Sequence, residues 1–308
     1  MKRRILISTS TFGEFDKTPL SKLKDGGFDV ILNPHKRKLS EGEVVELGGN
    51  AEGIIAGTEN LSAQVLSKLK SLKVVSRCGV GLDNVDLKAA RQLKIRVYST
   101  PQAPTVAVAE LTLGLILNLL RQIPLMDREI RRGCFEKRMG ESLRNKTVGI
   151  VGFGKIGKAV GDLCRAFGAQ VSFYDPALKG KKITGSQEYP NLTGLLKAAD
   201  IITLHVPYSK ETHHLIGAKE FGLMKPTSYL INCARGGIVD ETALYQALKE
   251  KKIAGAALDV FEEEPYTGPL KELDNCILTP HIGSYAREAR IQMETEAVQN
   301  LIKALGDQ

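Results

Sequence analysis

The sequence predicts an α/β chain of two doubly wound parallel-sheet domains, one inserted into the other. Three observations lead there. Short apolar runs alternate with helical stretches along nearly the whole chain, and connections of a few residues between them favour parallel sheets with helices on both faces. One run, 148–151, opens into Gly152, Gly154 and Gly157 at G-x-G-x-x-G spacing. Thr100-Pro101 and Pro104 break the alternation and mark a boundary.

Length and composition agree with that reading. The 308 residues exceed one average domain. A hydrophobic content of 43% and a charged content of 25% suit a globular protein with full cores. The net charge of +8 is scattered, aromatic residues are 6% with no Trp, and no nucleic-acid motif accompanies the charge. A mildly basic surface that steers small anions fits the charge equally well, and no nucleic-acid partner is expected. Cys78, Cys134, Cys164, Cys233 and Cys276 are odd in number and far apart, as expected of reduced thiols in a cytoplasmic protein. No metal-ligand spacing is present, so no metal is expected. Residues 1–4 run straight into Ile5-Leu6-Ile7, which predicts no signal peptide. The stretch 106–120 is short for a membrane span and carries Glu110 and Asn118, so no membrane partner is expected.

Taken in order, the first domain should hold strands at 5–8, 30–32, 53–56, 74–76 and 95–98. Thr18 reads as a helix cap with Pro19 in the first turn, closed by Gly26-Gly27. Ser40-Glu41-Gly42-Glu43 reads as a capping box, a helix follows around 63–69, and Asp86 caps a short helix to Leu93. No glycine fingerprint follows the first strand, so this sheet is not a second cofactor site. From Thr105 a helix is apolar almost all round, through Val106, Val108, Leu111, Leu113, Leu115, Ile116, Leu117, Leu119 and Leu120. Such a helix needs cover on every side, from its own domain and from a second subunit, so a homodimer is expected. Leu115 and Leu119 are the positions expected to face the partner. A polar helix at 126–133 follows. The second domain should hold six strands, 148–151, 170–174, 201–204, 228–232, 254–258 and 276–278. A final helix at 286–305 is long enough to return to the first domain. The expected division is 1–99 with 285–308, and 100–284.

The chemistry sits at strand ends. Strand, glycine turn and helix in that order aim helix-end N–H groups and a positive dipole end at a pyrophosphate. Asp175, 23 residues after Gly152, closes the next strand, where an acid should hold ribose hydroxyls. Ligands of open parallel sheets bind beyond the carboxyl ends of the strands, and three such ends bring Arg235, Glu264 and His281 to one edge. Each alone is more often a solvated charge, a turn residue or a structural histidine; beside a dinucleotide turn the set gains meaning. Hydride exchange between an alcohol and a nicotinamide needs a base for the hydroxyl proton, which His281 could be. A carboxylate bonded to that ring fixes its tautomer, as Glu264 could. A guanidinium holds a substrate carboxylate bidentately, as Arg235 could.

The runs Cys233-Ala234-Arg235-Gly236-Gly237-Ile238-Val239-Asp240-Glu241, Gly255-Ala256-Ala257-Leu258-Asp259-Val260-Phe261 and Pro280-His281-Ile282-Gly283 resemble the signatures of D-isomer-specific 2-hydroxyacid dehydrogenases. With Arg77-Cys78-Gly79-Val80-Gly81-Leu82-Asp83-Asn84-Val85-Asp86 and Arg121-Gln122-Ile123-Pro124, the chain is most similar to the 3-phosphoglycerate branch of that family. The resemblance covers essentially the whole chain. It implies a Rossmann-type NAD domain inserted into a flavodoxin-like substrate domain, with Arg235, Glu264 and His281 as the catalytic set. It implies NAD bound by Gly152, Gly154, Lys155, Ile156, Gly157, Asp175, His205, Val206, Pro207, Cys233, Ala234, Arg235, Asp259, His281 and Gly283. It implies a small 2-hydroxy or 2-oxo acid bound by Gly57, Arg77, Gly79, Val80, Arg235 and His281, with the Gly79 and Val80 amides at its carboxylate. The implied reaction is oxidation of 3-phosphoglycerate; the alternatives are a glyoxylate or hydroxypyruvate reductase and, from another class, a dinucleotide-sensing corepressor. Two departures stand out. The loop Ala56-Gly57-Thr58-Glu59-Asn60 lacks the cation that many phosphoglycerate enzymes place there. Only 27 residues follow His281, so a short form without a regulatory domain is expected.

Overall fold

A computed structural model of the chain describes residues 2–306. Met1, Asp307 and Gln308, the outermost residues of the expected first domain, lie outside the described residues. The chain divides into two compact units, one of residues 2–104 with 284–306 and the other Thr105–Gly283.

The first unit runs β1 (Arg4–Ile7), α1 (Thr18–Asp25), β2 (Asp29–Leu32), α2 (Glu41–Gly48), β3 (Gly53–Ala56), α3 (Ala63–Lys68), β4 (Val74–Arg77), α4 (Leu87–Gln92) and β5 (Arg96–Tyr98). The strands pair in parallel in the order β2-β1-β3-β4-β5. Alternate residues of the strands feed opposite cores. Leu6, Ile54 and Val75 meet Val44, Val65 and Leu66 of α2 and α3 on one face. On the other, Ile5, Ile7, Ile55 and Val74 meet Met293, Ala297, Val298 and Leu301 of the last helix, α11 (Arg287–Gly306). Gly53 lets that helix close in, since a Cβ there would come within 2.9 Å of Leu301. Ser40 and Glu43 form the expected capping box, and Asp86 caps α4 through the Ala89 amide at 2.8 Å. Thr18 is not a cap. It is the first helical residue, after Lys17, and its own amide donates to Asp16 at 2.8 Å.

The second unit runs α5 (Thr105–Arg121), α6 (Ile123–Arg131), β6 (Thr147–Val151), α7 (Lys155–Ala166), β7 (Gln170–Tyr174), β8 (Ser186–Glu188), α8 (Leu192–Ala198), β9 (Ile201–Leu204), α9 (Ala218–Phe221), β10 (Tyr229–Asn232), α10 (Glu241–Lys249), β11 (Gly255–Leu258) and β12 (Cys276–Leu278). Its parallel sheet has seven strands, not six, in the order β12-β11-β10-β9-β6-β7-β8. The added edge strand, β8, reads Ser-Gln-Glu and buries none of its residues, so no apolar pattern could announce it. Helix α5 is less open than expected. Leu115 and Leu119 are 5% and 6% exposed, packed with Ile116 and Leu120 in a core shared with Val148, Ile150 and Val160. They cover this unit's own sheet and do not face outward; Val106 does, at 63% exposure. Among the described residues no single helix is long and apolar enough to cross a membrane.

Candidate active site

The order of the second sheet reverses at β6, between β9 and β7, which places a crevice beyond those strand ends. The glycine turn leaves β6 there. Gly152 has φ +87°, and a Cβ on it would meet the His205 carbonyl oxygen at 2.6 Å. A Cβ on Gly157 would reach the Gly152 carbonyl oxygen at 2.2 Å, so helix and strand meet only because both residues are glycine. Gly154 differs. It is the N-cap of α7 without a side-chain cap, and a Cβ there would meet nothing within 4 Å. That open cradle at a helix N-terminus fits a pyrophosphate. Lys155 is exposed and Ile156 half-buried at the first turn. Asp175 ties the turn down, one carboxylate oxygen accepting the Phe153 amide at 2.8 Å and the other the Ala177 amide at 2.9 Å.

Across the crevice, β9 is followed by His205, half-buried Val206 and exposed Pro207. The His205 ring bonds Thr203 Oγ1 through Nε2 at 2.9 Å, and burial pushes its pKa down to about 3. It is a neutral structural ring. Cys233 is 7% exposed, and burial pushes its thiol up to about 12, so it forms wall rather than nucleophile.

Three loops carry the predicted catalytic residues, and each is stapled by a polar side chain. Asn232, buried at the end of β10, accepts the Ala234 amide at 3.0 Å and donates to the Arg235 carbonyl at 2.9 Å. Gly236 then presses on the neighbouring loop, for a Cβ there would lie 1.8 Å from the Phe261 carbonyl oxygen. In that loop the Phe261 amide donates to Glu264 at 3.1 Å. Asp259, 1% exposed after β11, accepts from Thr279 Oγ1 at 2.6 Å, the Ile282 amide at 2.8 Å and the Gly283 amide at 2.7 Å. Burial raises its pKa while those donors hold it down. Asp259 thus fixes the turn in which His281 sits at φ +53°. His281 Nδ1 lies 2.9 and 3.1 Å from the two Glu264 oxygens. A carboxylate only accepts, so Nδ1 carries the proton and Nε2 is the working nitrogen. Asn232 and Thr279 were not singled out by the sequence reading; their only signal is a polar residue closing an apolar strand.

The first unit's expected substrate residues look different in detail. The Gly79 amide donates to Thr100 Oγ1 at 2.8 Å. Arg77 folds back over Gly79, where a Cβ would lie 1.3 Å from Nη1, and donates to the Cys78 carbonyl at 3.2 Å. Val80 is 38% exposed. The Gly57 amide also turns inward, to Glu59 at 2.9 and 3.1 Å.

Residues 113–283 match the D-isomer specific 2-hydroxyacid dehydrogenase NAD binding domain. The chain belongs to that family. Its second unit is therefore the family's NAD-binding domain, and NAD is its cofactor. A D-3-phosphoglycerate dehydrogenase of Methanocaldococcus jannaschii is 41% identical over 274 residues, 87% of this chain and 52% of that one. A glyoxylate reductase of Thermofilum pendens is 43% identical over 258 residues, 80% of this chain and 76% of that one. The crystal structure of the TT0316 protein from Thermus thermophilus superposes with a TM-score of 0.91 at 36% identity, covering 99% of this chain and 97% of that one. The chain spans about half the length of the curated phosphoglycerate dehydrogenases it matches.

Proposed function

We propose that the protein catalyses the NAD-linked interconversion of a small D-2-hydroxy acid and its 2-oxo acid. The observation that carries this is His281 bonded through Nδ1 to Glu264, in a turn fixed by Asp259, beside a dinucleotide cradle. NAD supplies hydride acceptance and donation. His281 Nε2 takes the hydroxyl proton during oxidation and returns it during reduction. Glu264 keeps the ring in the tautomer that leaves Nε2 available and stabilises the charged ring once it holds the proton. Arg235 binds the substrate carboxylate and turns the C2 carbon toward the nicotinamide. Gly152, Gly157 and the Asp175 clamp on the turn keep the cofactor backbone in place.

Two substrate readings divide the relatives. The 3-phosphoglycerate reading follows the motif resemblance; the glyoxylate or hydroxypyruvate reading is favoured by the loop at Ala56–Asn60, which offers a phosphate no cation. Steady-state rates across a panel of 2-hydroxy and 2-oxo acids test the assignment. Absence of saturable turnover on every member, with NAD binding intact, would defeat it in favour of a dinucleotide sensor.

A homodimer remains part of the proposal, on a revised surface. Ile123, Ile130, Phe135 and Met139 are 49%, 56%, 84% and 93% exposed along α6 and the segment after it. Apolar side chains so open favour burial against a second copy. Light scattering at micromolar concentration should give twice the chain mass, and Phe135→Glu with Met139→Glu should shift it toward one. A wild-type mass of one chain would defeat the dimer.

A further inference from the structure

The loop that carries Glu264 follows β11, and Glu262, two residues earlier, is held from both sides. Its amide donates to Glu241 Oε1 at 2.7 Å, at the start of α10. Its own Oε1 lies 2.9 Å from His214 Nε2, a hydrogen bond across 48 positions. Neither partner belongs to the loop. His214 comes from the segment between β9 and α9, and that segment is itself fixed. The His214 amide donates to the Gly237 carbonyl at 2.8 Å, the Ile216 amide to the Ile238 carbonyl at 3.2 Å, and the Asp240 amide to the Ile216 carbonyl at 3.0 Å. The His214 ring stacks on His213 with centroids 3.9 Å apart, and His213 Nδ1 meets the Tyr208 hydroxyl at 3.3 Å. His214 keeps this place at φ +50°, in the left-handed region that suits glycine better than a residue with a side chain. Burial raises the Glu241 pKa against the pull of the Glu262 amide, and the carboxylates of Glu262, Asp240 and Glu264 push it further up. Like charges therefore crowd where the loop meets α10. His214 stands between two of these acids, with Nδ1 3.9 Å from Asp240 Oδ2 and Nε2 on Glu262. A donor there offsets the repulsion and holds the loop down.

We propose that His214 is a positioning residue for the reaction: through Glu262 it holds the loop where Glu264 meets His281. This rests on the dehydrogenase reading, in which Glu264 fixes the His281 ring. Glu264 Oε1 accepts the Phe261 amide at 3.1 Å, and both its oxygens face His281 Nδ1. A shift of the loop therefore moves the carboxylate that orients the base. An exposed histidine–carboxylate pair adds little to stability. The loss on removing it should appear in turnover and not in unfolding.

The test is His214→Gly in the full chain, a change that suits φ +50°, keeps the backbone amide and removes only the ring. Its unfolding midpoint should stay close to wild type. With hydroxypyruvate and NADH, kcat should fall about tenfold, while KM and the dissociation constant for NADH change less than about twofold. His214→Gln, whose side-chain amide can donate to Glu262, should restore most of the loss. On a Glu264→Gln background, His214→Gly should change kcat less than about twofold, because the group it positions is already gone. Wild-type kcat in His214→Gly overturns the proposal, as does an undiminished loss on the Glu264→Gln background. Should His214→Gly not fold, Glu262→Ala removes the same bond from the other side and is read in the same way. Nitrogen NMR on histidine-labelled protein gives a readout without turnover. The His281 Nδ1 signal, identified by its absence in His281→Ala, should lie at the protonated position in wild type and move toward the tautomer average in His214→Gly. An unmoved signal overturns the positioning whether or not hydroxypyruvate is reduced. A moved signal without turnover supports the positioning and counts against the dehydrogenase reading alone.

Discussion

Both sheets end in a glycine-bearing turn at the point where strand order reverses, and the two turns do opposite things. At Gly154 the space outside the backbone is open, and the first amides of α7 face it without a side-chain cap. At Gly57 the space is filled, and the amide is turned in to a buried carboxylate. The ionisable groups beneath them differ likewise. His205, under the first turn, is held neutral by burial, while Glu59, under the second, sits among donors. One sheet end is open beside its glycine and the other is closed. Glycine at a strand end therefore predicts close approach, but which partner approaches is decided by side chains elsewhere.

The largest expected effect lies at the open end. His281→Ala or Arg235→Ala should cut turnover about 100- to 10,000-fold while leaving the dissociation constant for NAD within a few-fold of wild type. Both residues sit on loops separate from the Gly152–Gly157 turn proposed to hold the pyrophosphate. Near-normal turnover by His281→Ala would remove the acid–base role, and a parallel loss of NAD binding would show that the loops hold cofactor rather than perform chemistry.

A smaller effect concerns which anion the open end admits. Asp175 lies at the end of β7, where a ribose 2′-phosphate would face its carboxylate. It also clamps the Phe153 amide, so replacing it would loosen the turn as well as change selectivity. We expect kcat/KM with NAD to exceed that with NADP by at least about tenfold. Lys179, Lys181 and Lys182 follow in sequence and are all exposed. Equal efficiency with the two cofactors would assign those lysines to the 2′-phosphate.

How much of this was legible follows from which residues carry a pattern. Apolar runs, most of them with β-branched residues, mark every strand except β8, whose three polar residues pair with β7 at a sheet edge. Capping chemistry is local, so Ser40 and Asp86 could be read directly; at α1 the same logic chose Thr18, although Asp16 holds its amide. The periodicity of α5 showed that its faces are apolar but not which neighbour covers them, and Leu115 and Leu119 proved to be core. Arg235, Glu264 and His281 were visible because strand ends collect ligands. Of their supports, Asn232 acts locally on Ala234 and Arg235, while Thr279 meets Asp259 across 20 positions. Glu59 meets Ser8 across 51 positions. No spacing rule reaches that far.

The smallest effect tests the contrast between the two turns most directly, through one added methyl group in each. Gly154 has φ −74°, a value alanine adopts freely, and its Cβ would meet nothing within 4 Å. Two modest terms then oppose each other in Gly154→Ala. Alanine is a poorer N-cap than glycine, and it lowers the entropy of the unfolded chain by about 0.4–1 kcal/mol. Stability should hardly change, but the methyl group stands where the pyrophosphate must approach, and NAD should bind about tenfold more weakly. Gly57→Ala should do the reverse. Its Cβ lies 3.1 Å from both Thr9 Cα and Glu59 Oε2, so backbone must yield, at a cost of about 1–2 kcal/mol. NAD binding, a property of the other unit, should be unchanged. Chemical denaturation and cofactor titration on the two variants give four numbers. A Gly57→Ala protein as stable as wild type would mean that the Gly57 turn is not packed shut. A Gly154→Ala protein with undiminished NAD affinity would mean that the Gly154 turn is not where the pyrophosphate lies.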